Sequence, residues 1–97
     1  MVERIMLFKL NEPATRQAIA ALIVSTFAKL TDIEELSVGV PADAEAAKSW
    51  DLSVVIGVPN LALLDALLAS HTFTNFFAKT MNGRYTIMKA WSFERLQ

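Results

Sequence analysis

Few side chains in this sequence of 97 residues could carry chemistry, and they stand apart from one another. His71 is the one histidine. An imidazole can gain and lose a proton near neutral pH, so His71 could act as a general base or proton shuttle. The competing reading is a histidine at a helix end, bonded to backbone carbonyls. Arg4 has the fixed guanidinium fork that holds a carboxylate or an enolate oxygen. It could equally be an edge arginine, its stem over apolar surface and its head in water.

Other chemistries are excluded by composition. There is no cysteine, so disulfides, thiolate metal sites and cysteine nucleophiles are absent, and a reducing compartment fits. One histidine with scattered acids does not supply the three or four converging ligands of a dedicated metal site. Gly39 and Gly57 are isolated and form no phosphate-binding loop. No cofactor is expected. A net charge of −1 argues against nucleic acid as a partner. The apolar run Ile5–Phe8 is too short for a signal peptide, and Ala18–Ala28 is too short for a membrane span. No membrane association is expected, and the chain reads as cytoplasmic.

These residues need elements to position them. Val2 to Leu10 reads as a strand with apolar residues on both faces: Val2, Met6 and Phe8 on one, Ile5 and Leu7 on the other. Asn11 reads as the N-cap of a helix running to about Leu30, with Ile19, Leu22, Ile23, Phe27 and Leu30 at three- and four-residue steps. Glu34–Val40 and Trp50–Val58 alternate as strands, joined by an Ala-rich loop with at most one helical turn. A second helix starts near Leu61, is interrupted near Ser70 and His71, and continues as a short helical piece over about Phe73–Thr80. Asn82-Gly83 is a turn signal. Tyr85 to Glu94 reads as the last strand, with Tyr85, Ile87, Trp91 and Phe93 on one side and Met88 and Ala90 on the other.

The order β-α-β-β-α-β predicts one α+β domain over residues 1–97, a ferredoxin-like four-stranded antiparallel sheet with both helices on one face. The other face also carries apolar residues and needs cover. In addition, 54 of the 97 residues are Ala, Val, Ile, Leu, Met, Phe, Trp or Gly, above the usual ~45–50%. A homodimer packed sheet on sheet answers both points. Trp91 and Phe93 are then interface anchors rather than a platform for stacking bases.

Three stretches carry a family resemblance: ERIMLFKL at the start, SWDLSVVIGVPNLALLDALLASHTFTNFF in the middle and YTIMKAWSFE at the end. Together they resemble the stress-responsive A/B barrel (Dabb) domain, a family of dimeric α+β barrels, over nearly the whole chain. The family commonly has a histidine where this chain has Arg4. It also has a His-Pro-Ala-His-like turn where this chain reads SHTFTNFF. With His71 as the first histidine of that turn, Thr74 falls at the second; an ungapped match puts Phe73 there. In the polyketide cyclase relative the second histidine and a helix tyrosine form the acid/base pair. The tyrosine position falls near Leu67, so neither partner is matched and the cyclase chemistry is not carried over. The resemblance places Leu22, Ile23, Phe27, Val54 and Leu67 at cavity-lining positions, which could equally be a filled core.

Three functions follow. A dimeric barrel could bind a small apolar or aromatic molecule between sheet and helices, with Met6, Phe8, Leu22, Phe27, Val54 and Leu67 as its wall and Arg4 at its rim. A cofactor-free cyclase, isomerase or monooxygenase could use Arg4 to polarise an oxygen and His71 to move a proton. A structural or partner-binding dimer would have a filled interior.

Overall fold

In the computed structural model, which describes residues 1–97, strand β1 spans Val2–Leu10 and lies inside the sheet. It pairs antiparallel with β3 (Leu52–Val58) on one side and β4 (Tyr85–Glu94) on the other. β2 (Glu35–Gly39) adds to β3, giving the strand order β2-β3-β1-β4. Alternation sorts the side chains. Met6, Phe8, Val54 and Ile56 point to one face and are buried, whereas Ile5, Leu7 and Val55 on the other are only half-buried.

Helices cover the first face. α1 (Arg16–Phe27) buries Ile19, Ile23 and Phe27, and α3 (Leu61–Ala69) buries Leu64 and Leu67. With the strand residues these form a single cluster of 16 buried side chains. No single helix is long and apolar enough to cross a membrane.

Several boundaries differ from the expectation, each for a local reason. Asn11 does not cap a helix. Its backbone N–H donates to Arg84 O, and its side-chain amide donates to Gly83 O, so it ties the end of β1 to the turn before β4. The chain then makes a 3₁₀ turn over Pro13–Thr15 before α1 begins, and α1 stops at Phe27, short of Leu30. The Ala-rich segment is helical over Ala44–Ser49, here α2, because Asp43 accepts a hydrogen bond from Ala46 N at 2.8 Å as its N-cap.

Ser70 interrupts the second helical segment. Its backbone is extended, it ends α3, and its hydroxyl accepts from Phe73 N to start α4 (His71–Asn75). A π-helical turn, Phe76–Thr80, follows directly. Beyond it, Gly83 takes φ +76°, as the turn signal implied.

Tyr85 is on the opposite side of the sheet from the one expected. Lys9 pairs with Ile87, but Leu10 pairs with Tyr85, so Thr86 is an extra residue in the ladder. This bulge turns Tyr85 toward the helices, where its ring meets Phe8 edge-on at 5.6 Å.

Candidate functional site

The helices do not cover the sheet evenly. α1 lies against the edge strand β2 and α3 against β1 and β3, and their buried side chains fill that region. Toward β4 the cover is α4 and the π turn, and a cavity of about 430 Å³ opens beneath them. Arg4 and Met6 of β1 and Tyr85 and Met88 of β4 form its floor, with Leu68 at the end of α3. Phe73, Thr74, Phe77 and Ala78 form the roof.

Local structure sets each group. The Ser70 cap starts α4 so that Phe73 and Phe77 approach to 4.9 Å between ring centroids. Phe77 also stacks on Phe8 at 6.0 Å, which ties the roof to strand β1 in the adjoining core. The Thr74 hydroxyl donates to Ser70 O at 2.9 Å. The walls are thus largely apolar, with Arg4 as their only cation.

Arg4 pairs across the strands with Ser92, and its Nη1 donates to Ser92 Oγ at 3.2 Å. Its Nε is buried and has no hydrogen-bond partner. An orphaned buried donor on a cationic group is costly, and an anionic or carbonyl oxygen brought beside it would satisfy it.

The remaining expected site residues lie elsewhere. Phe8 and Val54 of the strands and Phe27 and Leu67 of the helices are buried in the packed core and do not line the cavity. Leu22 is exposed on the outside of α1. At 3.6 residues per turn it lies about 100° from the centre of the Ile19–Ile23–Phe27 face. His71 is exposed at the start of α4 and is not among the cavity residues, so the fold does not bring it to Arg4. Trp91 and Phe93 are exposed on the open face of the sheet.

The remaining wall residues, Leu68, Phe73, Thr74, Phe77, Ala78, Tyr85 and Met88, were not anticipated from sequence as cavity lining. The i, i+4 spacing of Phe73 and Phe77 was a usable signal. Nothing in the sequence marked the bulge that turns Tyr85 inward. No cluster of three His, Cys, Asp or Glu side chains suited to a metal ion is present.

No protein-family model matches the sequence, and no curated protein matches it at significant similarity. Solved structures do match. A Dabb family protein with a ferredoxin-like fold from Mesorhizobium loti superposes with a TM-score of 0.81, covering 99% of this chain and 97% of its own, at 5% identity. The chain has the ferredoxin-like fold of that Dabb protein. A dimeric ferredoxin-like protein of unknown function from Bacteroides fragilis is similar to this Dabb-type fold at a TM-score of 0.75 and 16% identity, covering 97% of this chain and 95% of its own. SnoaB, a cofactor-independent oxygenase from Streptomyces nogalater, matches it at a TM-score of 0.74 and 15% identity, covering 99% and 93%.

Proposed function

We propose that this protein is a homodimer of the Dabb type, and that each protomer binds a small, planar or chain-like apolar molecule bearing one acidic or carbonyl oxygen. The observation that carries the ligand reading is the unpartnered Arg4 Nε beside an apolar cavity. Mostly apolar walls with few polar handles are the usual form of a small-molecule site. The dimer is supported by the apolar residues exposed on the open sheet face and by the dimeric state of the Bacteroides fragilis relative. We place it in the cytoplasm, which the cysteine-free composition fits.

Phosphorylated sugars are poor candidates, because no Gly-rich loop or basic cluster lines the cavity. An enzyme that pairs Arg4 with His71 is less well supported, since His71 stands outside the cavity.

The test compares a matched acid and neutral analogue, 4-phenylbutyrate and 4-phenylbutyramide, on the wild type and on Arg4→Met. The acid is expected to lose about tenfold or more in affinity while the amide is nearly unaffected. Equal losses for both would show that Arg4 only supports the fold.

A further inference from the structure

The ladders of the sheet have one irregularity, and it lies at the cavity. Thr86 is the extra residue between the pairs Lys9–Ile87 and Leu10–Tyr85, and its hydroxyl donates to Lys9 O at 3.3 Å. Strict alternation would set Tyr85 beside Ile87 on the open face. The bulge instead carries the phenol ring into the cavity wall, where the edge-on contact with Phe8 fixes its plane. Bulges leave a residue unpaired in the ladder, and they are common where a side chain is re-aimed into a site.

The polar side chains of the cavity are Arg4, Thr74 and Tyr85. The hydroxyl proton of Thr74 is committed to Ser70 O, so Thr74 can only accept. Tyr85 Oη takes part in no hydrogen bond within the protein, and among buried side-chain polar atoms only Arg4 Nε lacks a partner. The phenol tip is therefore open to water or to a small molecule, and it is free both to donate and to accept. We infer that Tyr85 is a second recognition residue of the cavity, and that the ligand carries a hydroxyl or carbonyl at the end remote from the oxygen held by Arg4. This inference rests on the ligand reading above and adds the second polar group and the direction in which the molecule lies.

Strand register sets that direction. Arg4 pairs with Ser92, whereas Tyr85 pairs with Leu10, farther along β1. At about 3.4 Å per residue, roughly 20 Å of strand separates the two backbone positions. Even with both side chains leaning inward, a single ligand oxygen does not serve both heads. The stretch between them is apolar: Met6 and Met88 on the floor, Phe73 and Phe77 on the roof. Thioethers and aromatic rings together favour a flat ring in that place. Size agrees with a molecule that has two polar ends. A cavity of about 150 Å³ holds benzene, so about 430 Å³ has room for roughly 15 non-hydrogen atoms. The class that fits is an aromatic acid or ketone with a second oxygen on the far end of its ring.

Two acids that differ by one remote hydroxyl, 4-phenylbutyrate and 4-(4-hydroxyphenyl)butyrate, test this. Their affinities would be measured by isothermal titration calorimetry on the wild type, Tyr85→Phe and Arg4→Met, with far-UV circular dichroism as the check on folding. The quantity read is the ratio of the two affinities within each protein, so a general effect of a substitution on the cavity cancels. On the wild type the hydroxyl is expected to tighten binding about fivefold, as one net hydrogen bond does. Tyr85→Phe is expected to bring the ratio below about twofold, whereas Arg4→Met weakens both acids and preserves it. Should Tyr85→Phe not fold, the isomer 4-(2-hydroxyphenyl)butyrate on the wild type reads the same contact, since its hydroxyl is not at the remote end and should bring no gain. A wild type that binds phenylbutyrate without gaining from the remote hydroxyl, or a gain that survives Tyr85→Phe, overturns the second contact and leaves the single-oxygen reading standing. A wild type that binds neither acid overturns both.

Discussion

The guanidinium of Arg16 places two donors on one oxygen of Asp51: Nε at 3.0 Å and Nη2 at 2.6 Å both meet Oδ1. The other oxygen, Oδ2, accepts from the backbone N–H of Leu10 at 2.8 Å, and Lys9 Nζ stands 3.8 Å away. Asp51 is fully buried, and its own N–H donates to Phe8 O. One carboxylate therefore joins the end of β1, the start of α1 and the entry to β3.

Asp51→Ala should cost about 3 kcal/mol of stability, because it leaves the Leu10 N–H and the Arg16 guanidinium without their acceptor. Urea denaturation at neutral pH measures this. A loss below ~1 kcal/mol would show that water replaces the carboxylate.

The same group predicts a pH dependence. Burial pushes the Asp51 carboxyl up, but the Leu10 N–H, the Arg16 hydrogen bonds and the positive charges of Lys9 and Arg16 outweigh it and hold it below the ordinary value. A carboxylate depressed in the folded state stabilises the protein above its unfolded pKa, about 3.9, and loses that contribution as pH falls through its folded value. Wild-type stability should therefore fall more steeply than that of Asp51→Ala below about pH 4. Parallel curves for the two proteins would contradict this.

Gly83→Ala should destabilise the protein by about 1 kcal/mol. The position has φ +76°, and a Cβ there meets no atom within 4 Å, so the cost is that of the backbone conformation alone. Thermal unfolding reads the change, and Gly83→Asn should recover part of it.

Trp91→Ala should weaken dimerisation by more than ~2 kcal/mol, as removal of a large aromatic anchor does. Trp91 is 46% exposed in the protomer, so the protomer itself should keep its fold. An unchanged dimer constant would remove Trp91 from the interface.

His71→Ala should change folding stability by less than ~0.5 kcal/mol and leave ligand binding intact. His71 is exposed and outside the cavity. Loss of binding or turnover with the fold preserved would restore it as a functional group.

The first and last strands, Val2–Leu10 and Tyr85–Glu94, were legible at both ends. Apolar alternation marked them, and Asn-Glu-Pro and Asn-Gly bounded them. The break at Ser70 was legible too, since a serine before a helical run is a capping signal. The α2 helix is not legible beyond a single turn, because six residues with no buried side chain show no apolar period. Arg4 and Met6 were placed on the cavity side by alternation alone. Leu22 was misplaced because it satisfied the three- and four-residue spacing without lying at the centre of the stripe.

What the sequence determined by itself was the order of the elements and which strand residues share a face. Both follow from periods of 2 and 3.6 residues, which are properties of neighbours along the chain. Only the tertiary structure decided where the cavity opens, since that depends on which strands the helices cover. The inward turn of Tyr85 also belongs to the folded sheet, because one extra residue counts as a bulge only against the strand it pairs with. The Asp51–Arg16 pair spans 35 positions and the Arg4–Ser92 pair 88. Contacts at such separations are created by strand pairing and helix packing, and no local pattern encodes them.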